Sequence, residues 1–269
     1  MHMQLKVVAI VVAAGVFWTM VARAQSPAPQ PWNNPGFTWT PADPPPIPAR
    51  DLSGLWDAGA AGISGTGQQT SPLTAWGQEA ARAHKPGNGP RAVPVPEIND
   101  PLSTLCAPSG FPRIVLYETR PFQIVQLQGR TLILYMFEQR WRTIWTDGRQ
   151  LPRDPDPRWY GYSVGRWDDD RTFVVNTVGL TEDTWLDNAG NPHSSEMRVE
   201  ERYRRVAYDM LELTVTIDDP KAYTKSWLGR DRLRLKLLPS NTDLIEMICS
   251  PEEAREYQRL SGAAGASAR

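Results

Sequence analysis

Asn191-Pro-His-Ser-Ser-Glu-Met-Arg-Val-Glu-Glu-Arg-Tyr-Arg-Arg205 alternates with the period of a β-strand. Met197, Val199, Glu201 and Tyr203 fall on one face; Arg198, Glu200, Arg202 and Arg204 fall on the other. The apolar face must meet a core, so Glu201 points inward with it. A carboxylate buried there needs a guanidinium or several hydrogen bonds to remain ionised.

Working outward, the chain from residue 121 reads as a succession of short strands. They are expected over 122–127, 131–137, 141–146, 160–167, 172–178, 197–205, 211–217, 233–237 and 244–249, the last closing the series. Asp147-Gly148 carries a hairpin turn signal, and Asp168-Asp169-Asp170 makes a solvated turn rather than a calcium loop, which needs spaced ligands and a glycine. Strands arriving this regularly, with no helices between them, predict a mainly β protein: a single antiparallel barrel or sandwich. Asp51-Leu-Ser-Gly-Leu-Trp56 opens the domain, residues 74–83 read as a short N-terminal helix, and 84–104 as a Pro- and Gly-rich connection. Gly59–Gly67 lacks the Gly-Lys-Ser/Thr ending of a phosphate-binding loop. Ser250, Pro251 and Glu253 form a capping signature, so 251–260 should be helical and 261–269 a disordered tail.

Residues 1–24 have the form of a cleaved export signal, with Lys6, an apolar run from Val7 to Val21, and Ala22-Arg23-Ala24 as the cleavage site. Residues 25–50 hold nine prolines, favour polyproline II and cannot pair into a sheet; Trp32 and Trp39 lie within them. The β-domain is then 51–260, periplasmic or secreted, with no stable membrane insertion expected. The leader carries Lys6 and Arg23 and no acid, so the 29 basic and 30 acidic residues of the chain leave 27 − 30 = −3 after cleavage. Such a balance is not that of a nucleic-acid binder.

Cys106 and Cys249 are the only cysteines; in an oxidising compartment they are expected to pair, the alternative being two buried thiols. With His84 and His193 the only histidines past the leader, no metal centre and no cofactor are expected.

Three sets of residues point to chemistry. Glu201, with His193 and Asp187 in the loop entering its strand, has the composition of a metal-independent acid–base site of lyase, isomerase or hydrolase type. Glu201 and Asp187 would also suit a glycosidase pair. The competing reading is a structural Glu201 paired with arginine or tyrosine in a non-catalytic envelope or periplasmic binding protein. Second, Trp141, Trp145, Trp159, Trp167 and Trp185 are interleaved with Arg140, Arg142, Arg149, Arg158 and Arg166. This density predicts an aromatic-lined mouth in which Trp141, Trp145, Trp159, Trp185, Arg149 and Tyr203 hold a small organic or sugar-like ligand. Third, Gly161-Tyr-Ser-Val-Gly165 matches the serine-hydrolase elbow literally, with Asp187 and His193 following in order. That elbow needs a strand before and a helix after Ser163. Here the motif lies inside a strand, where Gly161 and Gly165 permit bending or close packing.

Several segments taken together carry a family resemblance. They are Asp51-Leu-Ser-Gly-Leu-Trp56, Cys106-Ala-Pro-Ser-Gly-Phe-Pro-Arg113, Ile144-Trp-Thr-Asp-Gly-Arg149, Gly161-Tyr-Ser-Val-Gly-Arg-Trp167 and Phe173-Val-Val-Asn-Thr-Val-Gly179, with Thr184-Trp-Leu-Asp187, Asn191-Pro-His193, Glu201-Arg-Tyr-Arg-Arg205 and Thr216-Ile-Asp-Asp-Pro220. Across about residues 51–250 the chain resembles a large, largely uncharacterised family of secreted bacterial proteins. The resemblance implies a lipocalin-like β-barrel and attaches no activity. Asn176 departs from it, standing where such proteins have aspartate.

Overall fold

The computed structural model describes residues 45–63, 71–117 and 119–267, with side chains to Leu260. The export leader and most of the Pro-rich stretch, Trp32 and Trp39 included, lie outside the described residues.

The strands are β1 (Gly54–Asp57), β2 (Phe122–Leu127), β3 (Arg130–Tyr135), β4 (Trp141–Trp145), β5 (Tyr162–Trp167), β6 (Thr172–Val178), β7 (Arg198–Ala207), β8 (Met210–Asp218) and β9 (Trp227–Leu237). Each pairs with its sequence neighbour, and β9 returns to β1 through Trp56↔Leu237, so the sheet closes into a barrel. The mainly β expectation and its barrel form are therefore what the chain adopts.

A closed ring of nine neighbouring strands cannot alternate in direction all the way round; one junction must be parallel. That junction is β4–β5, joined only at Ile144↔Ser163 and Trp145↔Val164. A parallel pair needs the chain to travel back along the barrel. Residues 146–161 do so as a strap on the outer wall, and Asp147-Gly148 starts this strap instead of the expected hairpin.

The same parity sorts the connections. The tight β2–β3, β5–β6 and β7–β8 turns lie at one end. The long connections 58–121, 179–197 and 219–226 gather at the other. The first contains α1 (Ala60–Ile63), α2 (Ala75–Ala83), α3 (Pro101–Leu105) and α4 (Arg113–Leu116). Thr74 caps α2 through its side chain to Gly77 N. Residues 109–116 are buried throughout, and the Phe111 ring lies 3.7 Å from the Arg142 guanidinium carbon, so this segment plugs the barrel. Two buried arginines secure the plug. Arg113 donates to both oxygens of Asp100, at 2.8 and 2.7 Å, and Arg230 donates to the carbonyls of Leu116, Gly62 and Val115. Burial lowers the Arg230 pKa to about 10.

Several strand ends shift by one or two residues, and three differences from expectation are larger. β9 begins at Trp227, six residues before its apolar pattern becomes regular, because its shifted pairing with β8 and the turn of Arg232 into positive φ break the alternation. Residues 244–249 form no strand; only Met247 bridges, to Phe137. The C-terminal helix α5 (Pro251–Ser267) starts where its capping signature says, with Glu253 N donating to Ser250 Oγ, and continues past Leu260. Cys106 and Cys249 are joined by a disulfide with their Cα atoms 5.5 Å apart, fastening α3 to the start of α5.

Candidate functional site

β7 places Val199, Glu201, Tyr203 and Arg205 inside the barrel, as its alternation dictates. Glu201 is 0% exposed. On β4 the same period turns Arg142 and Ile144 inward and Trp141, Thr143 and Trp145 outward. Arg142 therefore meets Glu201 across the interior in a two-pronged pair, Nη1 to Oε1 at 3.0 Å and Nη2 to Oε2 at 2.6 Å. Its remaining donors reach Ser163 Oγ at 3.0 Å and Thr177 Oγ1 at 2.7 Å, and Tyr203 donates to Glu201 Oε1 at 2.7 Å. Planar guanidinium and carboxylate match geometrically, and the hydroxyls satisfy what the pair leaves over.

Burial opposes the charge on Arg142, yet the Glu201 carboxylate beside it carries its pKa upward overall. Burial first, and the Glu201 charge second, push Tyr203 well above the ordinary phenol value. Burial likewise pushes Tyr135 up to about 12, against the lowering effect of Arg142 beside it. Arg142, Tyr203 and Tyr135 are thus held more firmly in the forms they have at neutral pH.

His193 is buried in the end connection. Its Nε2 is 2.7 Å from Thr184 Oγ1 and its Nδ1 3.3 Å from the Ser194 carbonyl. Burial lowers its pKa, so the ring is neutral. Asp187 organises its own loop, accepting from Ala189 N, Asn191 N and Asn191 Nδ2. Neither residue bonds to Glu201: the three expected members of an acid–base site have separate sets of partners. Ser163 has Arg142 and Thr177 as partners and is 1% exposed. It has neither the histidine nor the exposed turn of an elbow. Gly165 is needed for packing, since a Cβ there would lie 2.4 Å from Phe173 Cζ.

No protein-family model, curated protein or solved structure matches this chain. Function has to be read from geometry.

The six expected ligand residues do not share one mouth. Trp141 is 67% exposed on the outer face of β4. Trp145 is on the same face at the far end of the strand, covered by Arg149 at 3.7 Å, which also bonds Asp147 and the Tyr162 hydroxyl. Trp185 is buried and stacked on His84 with centroids 4.4 Å apart. Half-buried Trp159 supports the plug, its carbonyl accepting from Phe111 N, and Tyr203 belongs to the interior network. Arg142 is the interior residue that the strand alternation could have disclosed, since it shares a face with Ile144.

With the interior filled and one end plugged, a groove among the described residues lies beneath the crossover strap. Residues 151–157 of the crossover face Val178–Leu180 and Ser195–Arg198 across a groove of about 810 Å³. Leu151, Pro152, Pro155 and Pro157 give it some apolar surface within a mainly polar lining, and Arg153 and Arg198 line it from the two sides. Neither arginine has a carboxylate partner among the described residues. Asp154 and Glu196 also line it. Among the described residues there is no cluster of metal-ligating side chains and no helix long and apolar enough to cross a membrane.

Proposed function

We propose that this is an exported, non-catalytic binding protein that holds a small organic acid in the groove under the crossover strap. The saturation of Glu201 by Arg142 and Tyr203 carries this reading. A carboxylate that already accepts three hydrogen bonds and is fully buried inside a filled barrel is out of a substrate's reach. The groove, by contrast, offers two unpaired guanidinium groups beside apolar surface, which suits a carboxylate on a hydrophobic body. The signal-like leader and the Cys106–Cys249 disulfide support a periplasmic or secreted setting. The acid–base alternative would require Glu201 and His193 to meet, and their hydrogen bonds run to different groups.

The test is a thermal-shift titration of the mature protein with benzoate and 4-hydroxybenzoate. A saturable rise in melting temperature is expected, lost in Arg153→Ala/Arg198→Ala and retained in His193→Gln. No rise with either acid, or an undiminished rise in the arginine variant, defeats the reading.

A further inference from the structure

The second strap, running from the end of β9 to Cys249, also covers a groove. Leu238 N donates to Leu55 O at 2.8 Å at one end of the strap; at the other, Glu138 N donates to Met247 O at 2.7 Å and Gln139 Nε2 to Ile245 O at 3.0 Å. Pinned at both ends, it stands over the outer wall of β1 and β2 and encloses about 660 Å³.

The chemistry of this groove differs from that of the first. Leu55, Leu237 and Leu238 give it an apolar floor, and Tyr208 from the β7–β8 turn supplies an aromatic ring. Its polar lining is Ser53, Gln123, Asn241 and Asp243 among others, and it contains no lysine, arginine or histidine. Gln123 points outward from β2 and is exposed. Amides and hydroxyls both donate and accept, as a ligand rich in hydroxyl groups requires. A carboxylate in a lining without basic side chains disfavours anions, and the Arg205 guanidinium, 5.5 Å from the Tyr208 ring, is buried on the inner side of the wall. An acyl chain would leave Gln123, Asn241 and Asp243 unused.

We infer that the groove beneath the C-terminal strap is a binding site for a neutral sugar, with Gln123, Asn241 and Asp243 bonding its hydroxyls and Tyr208 lying against its C–H face. The site is independent of the organic-acid groove and stands if that reading fails.

Calorimetric titration of the mature protein with glucose, galactose, mannose, N-acetylglucosamine, maltose and cellobiose, and with glucuronate as the charged control, tests it. At least one neutral sugar should bind saturably and more tightly than glucuronate. Gln123→Ala/Asn241→Ala, both on the surface, should weaken it about tenfold or more while leaving the melting temperature of the free protein unchanged. Arg153→Ala/Arg198→Ala should bind it as the parent does. Three results overturn the assignment: no saturable binding by any neutral sugar, affinity undiminished in Gln123→Ala/Asn241→Ala, or loss of binding in the arginine variant.

Discussion

Glu201 takes its place from alternation along one strand and its meaning from another. Val199 and Tyr203 on the same face announce that it points inward, and the sequence states that much. The identity of its partner depends on which strand lies across the barrel, a long-range fact with no local signal. Removing one side of such a pair leaves an uncompensated charge. Glu201→Gln should therefore lower unfolding free energy by about 3–5 kcal/mol in urea titrations, whereas Arg142→Met/Glu201→Leu, which removes both charges, should recover most of the loss. A drop below about 1 kcal/mol for Glu201→Gln would show the pair to be dispensable. His193 gives a pH dependence of definite sign. Its folded pKa lies below the ordinary 6.5, so between the two values the unfolded chain binds more protons than the folded one. Its contribution is present above about pH 6.5 and is lost as pH falls towards the folded value. Stability measured from pH 7.5 to 5.5 should fall with acid, and His193→Gln should flatten part of that slope; His84, also lowered by burial, accounts for a further part.

At the scale of elements, β6 has the bounds that its apolar pattern predicts, being buried on both faces along nearly its whole length, and β2 likewise keeps its expected bounds. The pattern misled at α3, which falls largely in the stretch read as Pro- and Gly-rich connection, and it assigned nothing to the plug and α4. Burial of residues 109–116 inside a barrel is a tertiary event, secured by the plug's own Arg113 on Asp100 and by Arg230, which reaches it from β9. Phe111→Ala should cost about 3–5 kcal/mol in equilibrium unfolding, since it empties the space over Arg142 as well as removing apolar contact. The crossover was missed for a related reason: Asp147-Gly148 is a good local turn, but only the closure of the whole ring decides whether the following strand returns antiparallel. The tryptophan-rich block was legible as aromatic density. Its division between outer wall, plug support and core was not, because direction depends on the strand phase at each position.

Across the whole molecule the disulfide spans 143 residues and fastens the end of the chain to the helices that begin the plug. In the chain-entropy account a loop that long stabilises by about 5 kcal/mol, so Cys106→Ser/Cys249→Ser should lower the denaturation midpoint without altering the signature of the barrel in circular dichroism. Thiol titration of the denatured chain should find two groups only after reduction; two groups before it would show the pair to be open. The core runs continuously from Trp56 through Tyr203 to Leu235, which predicts one cooperative unfolding transition seen alike by tryptophan fluorescence and far-ultraviolet dichroism.

The parallel junction also fixes where the ring is most easily unfastened. β7 and β8 are zipped together from Arg198↔Asp218 to Ala207↔Met210, whereas β4 and β5 share two positions. Amide protons along that seam, at Trp145 and Val164, should exchange with deuterium sooner than those of β7 and β8, even though the Arg142–Ser163 bond crosses the same gap from within. A chain cut and rejoined within residues 146–161 would retain every other strand pairing, making this the natural place to give the barrel new ends.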